Sequence, residues 1–243
     1  MTHNLGYFQQ IYIINLPHRR DRRREMAEQL NRIGLSFDSA GVRLFSAVRP
    51  ETSEGFPSVG ARGCFLSHLA VLRDACEQGF ERILILEDDV NFVDDFVARM
   101  REIETALGNA DWSIFYGGYA LKTHLQTGGA EAVVFAEAAD PIQTTHFISF
   151  RGRAICDAVS FLETLLSRPP GDPRGGPMHV DGAYNWFRNQ CASRVTLLAV
   201  SPLGYQRSSR TDIHAHRWFD RTQGIRSGVG LLRNLANRLR PLV

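Results

Sequence analysis

The sequence has one lysine, no C-x-x-C pair among its four cysteines, and no long apolar run. Lys122 is the only lysine among 28 basic residues, and with 26 acidic residues the formal charge is +2, so charge does not point to nucleic acid as a partner. No run approaches the ~20 apolar residues that a membrane-spanning helix needs. The first residues also lack the basic-then-apolar pattern of a signal peptide. We therefore expect a cytoplasmic protein.

The cysteines are Cys64, Cys76, Cys156 and Cys191, which lie far apart in the sequence. Their spacing matches neither a zinc motif nor a disulfide framework. In a cytoplasmic protein we expect four reduced, mostly buried thiols.

The composition predicts one globular domain over residues 1–243, because 44% of the residues are hydrophobic and 22% are charged. Buried strands are predicted at residues 11–16 and 82–86, and helices at 21–34 and 64–76. Further strands are predicted at 112–116, 132–135, 146–150 and 195–200, helices at 152–166 and 182–190, and irregular segments at 49–62, 119–129 and 169–178. Strands that alternate with helices predict an α/β fold, a mostly parallel sheet with helices on both faces. Long irregular segments in such a domain are usually lids or binding loops.

Three acidic residues, Glu87, Asp88 and Asp89, follow the predicted strand at 82–86. In open α/β sheets, ligands bind beyond the carboxyl ends of the strands. If the strand continues, Glu87 and Asp89 project to one side and Asp88 to the other. Two carboxylates on one side suit a hard divalent cation, Mg²⁺ or Mn²⁺. The alternative is a strand that simply ends in solvated acids.

Three motifs carry a family resemblance: IYIINLPHRRDRR at residues 11–23, GCFLSHLAVLRDA at 63–75 and ILILEDDV at 83–90. Weaker matches lie at 111–118, 145–149 and 201–213. With these motifs in this order, the sequence resembles glycosyltransferase family 25. The resemblance implies a GT-A fold, a UDP-sugar donor carrying galactose, a saccharide acceptor such as lipooligosaccharide, and transfer with inversion. It also implies a divalent metal held by the acidic motif.

The sequence departs from the family pattern at two places. Members often read AVDG where this chain has Ala47-Val48-Arg49-Pro50, and GEIGC where it has residues 60–64, GARGC. Both changes replace an acid by a neutral or basic group near the expected donor. These two changes leave the identity of the sugar and of the nucleotide open. They also motivate a second hypothesis, a catalytically silent nucleotide-sugar-binding partner in a glycan pathway; a family-25 transferase with a protein or small-molecule acceptor is a third.

The resemblance also suggests catalytic roles. Asp89 is the expected principal metal ligand, with Glu87 and Asp88 as direct, water-mediated or ribose contacts. Inversion requires a base for the acceptor hydroxyl. Asp181 is the candidate, since it follows the Pro/Gly-rich segment and begins a predicted helix. The alternative is that Asp181 caps that helix.

Candidate donor contacts lie at the end of the first predicted strand and the start of the helix after it. Asn15, Arg20 and Arg23 are placed where a nucleotide would pass, and guanidinium groups match phosphate geometry. The helix start also favours anions. The alternative is that this arginine-rich run is a solvated helix face.

Three further residues are candidates through the family pattern. Ser67 and His68, the S-H pair of the second motif, are expected to line the donor site, although a lone helix histidine is often only a hydrogen-bonded structural residue. His214 is a candidate third metal ligand, because GT-A enzymes often complete the metal shell near the C-terminus. A neutral imidazole suits Mn²⁺ better than Mg²⁺.

The C-terminal residues 219–243 are predicted to form an amphipathic helical tail, with apolar residues on one stripe and arginines outside it. Such a helix can lie on an anionic membrane surface. A peripheral position at the inner face of the membrane would bring it to a lipid-linked acceptor. The alternative is that the stripe packs against its own domain.

Overall fold

The computed structural model describes residues 5–121, 131–137, 140–191 and 193–207. The strands in this part of the chain are β1 (Gln10–Asn15), β2 (Val42–Ser46), β3 (Arg82–Glu87), β4 (Val90–Phe92), β5 (Ile114–Leu121), β6 (Val133–Phe135), β7 (Ile142–Arg151), β8 (Thr196–Ala199) and β9 (Gly204–Gln206). The helices are α1 (Arg20–Arg32), α2 (Val59–Glu77), α3 (Phe96–Asn109), α4 (Ala154–Leu166) and α5 (Val180–Asn189).

Seven strands form one sheet in the order β2-β1-β3-β7-β5-β8-β6. β1 is parallel to β2 and β3, and β5 is parallel to β8. β7 runs antiparallel to both of its neighbours, β3 and β5, and β6 runs antiparallel to β8. Five strands therefore point one way and two the other. β4 and β9 pair separately as a small antiparallel sheet.

Helices cover both faces of the large sheet. On β1, Tyr12 and Ile14 pack into the core shared with α2, α4 and α5. The alternating residues Ile11 and Ile13 pack into the opposite core, shared with α1 and α3. A strand buried on both faces is apolar throughout, which explains the continuous apolar runs in the sequence. The α/β prediction, with a mostly parallel sheet covered on both faces, is confirmed.

Some element boundaries differ from the prediction. α2 begins at Val59 rather than at residue 64, because the Ser58 hydroxyl accepts a hydrogen bond from the Ala61 N–H at 3.0 Å and caps the helix. The segment predicted to be irregular therefore ends before Val59. The prediction also missed α3, although its buried residues Phe96, Met100, Ile103 and Leu107 follow helical spacing.

The prediction of four reduced cysteines is wrong for one pair. Cys76, near the end of α2, and Cys156, in α4, form a disulfide across a sequence separation of 80 residues. Cys64 and Cys191 are free thiols. Spacing did not indicate the pair because the packing of α2 against α4 brings the two residues together.

In the part of the chain that the structure describes, no helix combines the length and the apolar character needed to cross a bilayer. The predicted tail at residues 219–243 and the candidate ligand His214 lie outside the described residues.

Candidate donor site

A cavity of about 290 Å³ opens at the carboxyl ends of β1, β2 and β3. Its walls come from the start of α1, from residues 47–50 after β2, from one face of α2, and from Glu87 and Asp88. This is the edge of the sheet at which α/β proteins bind ligands. The volume lies near the lower end of the range for small-molecule sites.

Ser67 joins two walls of the cavity. Its hydroxyl accepts a hydrogen bond from the Val48 N–H at 2.8 Å and donates one to the Gly63 carbonyl at 2.6 Å. A Cβ atom on Gly63 would lie only 2.9 Å from the Val48 carbonyl oxygen and 3.2 Å from Cδ of Pro50. The segment that departs from the family pattern is therefore packed directly against α2.

The acidic motif does not follow the predicted alternation of side chains. β3 ends at Glu87, which points towards α2, and Asp88 and Asp89 belong to the turn that follows. Both aspartates contact Arg22 of α1. Asp89 therefore does not share a side with Glu87, because strand geometry stops one residue after the apolar run.

Arg22 provides the positive charge beside Asp88 and Asp89. Its Nη1 lies 2.8 Å from Oδ1 of Asp88 and 3.3 Å from Oδ2 of Asp89. The Asn15 amide donates to the other Asp88 oxygen at 2.7 Å. Both carboxylate oxygens of Asp88 thus have donors inside the protein.

The carboxylate of Asp89 has fewer hydrogen-bond donors than that of Asp88. It is 5% exposed, and its Oδ1 has no hydrogen-bond partner among the described residues. Its Oδ2 accepts a hydrogen bond from the Gln206 amide at 3.3 Å. Burial raises the pKa of Asp89 to about 7, although Arg22 acts in the opposite direction.

Glu87 lies between α2 and the start of β7. Its Oε1 accepts a hydrogen bond from Thr145 at 2.6 Å and lies 3.6 Å from Nε2 of the fully buried His68. Burial opposes ionisation, but His68 and Thr145 together hold the pKa of Glu87 below its usual value. The other ring nitrogen of His68, Nδ1, lies 3.1 Å from the Tyr184 hydroxyl.

Sequence reasoning missed the position of Cys64 in this site. Cys64 and His68 are four residues apart on α2 and therefore lie on the same helix face. Their ligand atoms and those of Glu87 all lie within 4.8 Å of one another. Burial and the neighbouring carboxylates raise the pKa of the Cys64 thiol well above its usual value. The four-residue spacing of Cys64 and His68 was the only signal in the sequence for this group. It does not indicate that Glu87 lies beside them.

Asp181 lies in the first turn of α5, two residues after the N-cap residue His179. Its Oδ1 accepts the Gly182 N–H at 2.7 Å and its Oδ2 accepts the Thr144 N–H at 3.3 Å. It is not among the described residues that line the cavity. It nevertheless lies on the face of the sheet that carries the site, because α5 packs into the same core as α2.

The two predicted arginines do not line the cavity. Arg20 is exposed, and Nε of Arg23 lies 3.4 Å from the Asn15 side-chain oxygen. Arg22, between them, does line it. One residue along a helix rotates a side chain by about 100°, so the helix phase decides which arginine faces the acids. Ser67, His68, Glu87 and Asp88 also line the cavity, whereas Asn15 is buried behind Asp88.

The residues offer a partial fit to a hard divalent cation. Asp89 Oδ1, a buried acceptor with no hydrogen-bond partner among the described residues, is the kind of oxygen ligand that Mg²⁺ or Mn²⁺ takes. Arg22 already contributes positive charge at the same carboxylates, so a cation there would share or displace that contact.

A mixed α/β sheet with a cavity at the carboxyl ends of its parallel strands is the architecture of a ligand-binding α/β domain. The family model described as "Glycosyltransferase family 25 (LPS biosynthesis protein)" matches residues 8–141, more than half of the 243-residue chain. The chain belongs to glycosyltransferase family 25.

Curated relatives match a limited part of their own length. Procollagen galactosyltransferase 1-B of Xenopus laevis is 27% identical over 130 residues, which are 46% of this chain and 21% of that protein. The protein named inactive glycosyltransferase 25 family member 3 of Homo sapiens is 26% identical over 129 residues, 46% of this chain and 22% of that protein. The chain thus spans about a fifth of the length of these relatives.

Among solved structures, the fold is similar to that of a glycosyltransferase involved in the glycosylation of the major capsid of PBCV-1. The TM-score is 0.49 at 13% identity, and the match covers 83% of this chain and 93% of that one.

Proposed function

We propose that the chain transfers galactose from UDP-galactose to a hydroxyl of a saccharide acceptor, with inversion at the anomeric carbon and with Mn²⁺ or Mg²⁺ as cofactor. The observation that carries the proposal is the position of Glu87 and Asp88, with Asp89 next to them in the chain, at the wall of the cavity and at the carboxyl ends of parallel strands, in a member of glycosyltransferase family 25.

The residues of the site have separate roles in this proposal. The cavity between residues 47–50 and α2 takes the nucleoside, which directs the diphosphate towards Arg22 and the acidic motif. Arg22 lies where it can contact a phosphate oxygen with its guanidinium. Asp89 would hold the cation with His214, and the bound cation would offset the charge of the departing diphosphate. Glu87 faces α2 and is not assigned to this cation.

Asp181 is the proposed base that takes the acceptor proton. Its two carboxylate oxygens accept N–H groups from Thr144 and Gly182, which orient the group. A base in this role acts from the face of the sugar opposite the leaving group. The acceptor must therefore enter from the α5 side of the cavity.

The proposed acceptor is a lipooligosaccharide or another lipid-linked glycan at the inner face of the membrane. The description of the matched family, which names LPS biosynthesis, supports this class of acceptor. The amphipathic pattern predicted for residues 219–243 supports a peripheral membrane contact on the cytoplasmic side.

One observation favours a second candidate, a catalytically silent nucleotide-sugar binder. Arg22 already neutralises charge at Asp88 and Asp89, so the acids do not depend on a metal for a counter-charge. A relative named inactive also exists in the family.

Calorimetric titration with UDP tests the metal site. We expect UDP to bind at least tenfold more tightly with Mn²⁺ than without it, and Asp89→Asn to abolish that difference. Asp94→Asn is the matched control, because Asp94 is 82% exposed and pairs with Arg32 away from the cavity. Equal binding with and without Mn²⁺ would contradict the metal role.

Turnover separates the two candidates. UDP release from a panel of nucleotide sugars, measured with and without extracted cell-surface glycan, should be largest for UDP-galactose with glycan. Mn²⁺-dependent UDP binding with no release from any donor would favour the silent binder.

A further inference from the structure

Cys64, His68 and Glu87 form a compact group in the lining of the cavity. Cys64 and His68 lie one turn apart on α2, and Glu87 is the last residue of β3. The sulfur, a ring nitrogen and a carboxylate oxygen all lie within 4.8 Å of one another. All three residues line the cavity.

His68 carries the argument that this group holds an ion. It is fully buried, and its Nε2 has no hydrogen-bond partner among the described residues. Nε2 lies 3.6 Å from Oε1 of Glu87, which is too long for a hydrogen bond. Two ligands bound at about 2.1 Å to a tetrahedral ion lie about 3.4 Å apart. The separation is therefore close to that of two ligands of one metal ion.

Neighbouring groups orient these ligands. Nδ1 of His68 lies 3.1 Å from the Tyr184 hydroxyl, which leaves Nε2 directed towards Glu87. Thr145 donates a hydrogen bond to Glu87 at 2.6 Å. Partners of this kind behind a histidine and a carboxylate fix the orientation of metal ligands in proteins.

We propose that Cys64, His68 and Glu87 bind one Zn²⁺ ion. A thiolate, an imidazole and a carboxylate are the ligand types that zinc takes, whereas Mg²⁺ and Mn²⁺ prefer oxygen ligands. The thiolate and the carboxylate together balance the charge of the ion. Three protein ligands would leave a fourth position, which water or an oxygen of a bound ligand could occupy because all three residues line the cavity.

This zinc site is separate from the proposed catalytic cation and does not rest on the proposed function. Glu87 faces α2, whereas Asp88 and Asp89 face Arg22 of α1. The ion would tie α2 to the end of β3 at the lining of the cavity.

Cobalt titration of the full chain, after removal of metals by a chelator, tests the site. We expect one equivalent of Co²⁺ to produce tetrahedral d–d bands and a thiolate-to-cobalt charge-transfer band, and one equivalent of Zn²⁺ to remove both. Cys64→Ser should abolish the charge-transfer band and weaken metal binding at least about tenfold. Cys191→Ser is the matched control, because Cys191 is the other free thiol and lies outside the cavity. His68→Gln should weaken binding while keeping the band at saturating metal.

Several outcomes would overturn the zinc site. They are no cobalt binding by the wild type, binding without a thiolate band, or a band that survives Cys64→Ser. Circular dichroism and thermal unfolding of the metal-free variants identify any that fail to fold, and the wild-type spectrum tests the site without a variant.

Asp89→Asn separates this proposal from the catalytic one. The cobalt spectrum should be unchanged in that variant. Cobalt binding lost with Asp89→Asn but kept with Cys64→Ser would overturn the zinc site and leave the proposed function standing. A normal cobalt spectrum together with metal-independent UDP binding would leave the zinc site standing and contradict the catalytic cation.

Discussion

The guanidinium of Arg22 lies 2.8 Å from the carboxylate of Asp88, and this ion pair ties the start of α1 to the turn after β3. The same Nη1 lies 3.3 Å from Asp89. A protein cation thus lies at the acids for which the family resemblance implies a metal.

Replacing Arg22 should expose how much the acids depend on it. Arg22→Gln leaves two aspartates that are 6% and 5% exposed without their guanidinium. Breaking a buried pair in this way costs about 3–5 kcal/mol of unfolding free energy. We expect that loss in urea denaturation without divalent metal, and a partial recovery with Mn²⁺.

Arg24→Gln is the control for Arg22, because Arg24 is an exposed residue of the same helix. It should change the unfolding free energy by no more than about 0.5 kcal/mol. Equal effects of the two variants would contradict a structural role for the Arg22 ion pair.

Asp89 should make stability depend on pH. Its pKa rises from 3.8 in the unfolded chain to about 7 in the folded protein, mainly through burial. The folded state therefore keeps this proton to higher pH, and the contribution of Asp89 to stability falls as the pH rises from about 4 to about 7. About three pKa units correspond to at most about 4 kcal/mol.

Urea denaturation at pH 5 and pH 8, without metal, measures this contribution. The unfolding free energy of the wild type should fall relative to that of Asp89→Asn between the two values, and Asp94→Asn should behave like the wild type. Parallel pH profiles for the wild type and Asp89→Asn would show that the Asp89 proton is not retained.

Asp181→Asn should separate catalysis from folding. The amide keeps one oxygen acceptor, which can serve one of the two neighbouring N–H groups, but it cannot take a proton. We expect turnover to fall at least about 100-fold with UDP affinity unchanged. Asp157→Asn, in the first turn of α4, is the control and should keep full turnover. A loss of thermal stability with normal turnover would show that Asp181 only stabilises the start of α5 and is not the base.

Gly63 should tolerate no side chain. In Gly63→Ala the new methyl group would lie 2.9 Å from the Val48 carbonyl oxygen, so residues 47–50 must move. Overpacking of this kind costs about 1–3 kcal/mol. UDP affinity should fall as well, because the displaced segment is a wall of the cavity.

Gly108→Ala is the matched helix control, since a Cβ atom there meets nothing within 4 Å. Alanine should stabilise the helix by up to about 1 kcal/mol. Thermal unfolding of both variants should therefore give shifts of opposite sign, and shifts of the same sign would contradict the tight packing at Gly63.

The disulfide should contribute measurably to stability. It joins residues 80 positions apart, and a bridge that closes a loop of this size contributes up to about 4 kcal/mol. Cys156→Ala should lower the urea midpoint under oxidising conditions, whereas Cys191→Ala should not. A Cys156 variant as stable as the wild type would show that the bridge does not form in solution.

Local patterns predicted most of the fold. The apolar runs that became β1 and β3 were recognisable because each strand buries both faces, and α1 and α4 were recognisable from their apolar spacing. α3 had the same kind of signal and was overlooked. The reversed direction of β7 was not predictable from these patterns, because strand direction depends on how the chain crosses between strands.

The site was predicted less completely. The acids were identified, but their directions were not, because Glu87 is the last strand residue and the turn sends Asp88 and Asp89 towards α1. The pattern suggested Arg20 and Arg23, while the phase of α1 directs Arg22 to the cavity.

The sequence by itself determined the α/β class, the positions of the main buried strands and the acidic motif, because these follow from the order of apolar, polar and turn-forming residues along the chain. Only the tertiary structure decided that Cys76 meets Cys156, that Arg22 neutralises two aspartates, and that Cys64 and His68 face Glu87. Each of these contacts joins separate elements, and packing of the helices against the sheet sets which side chains meet.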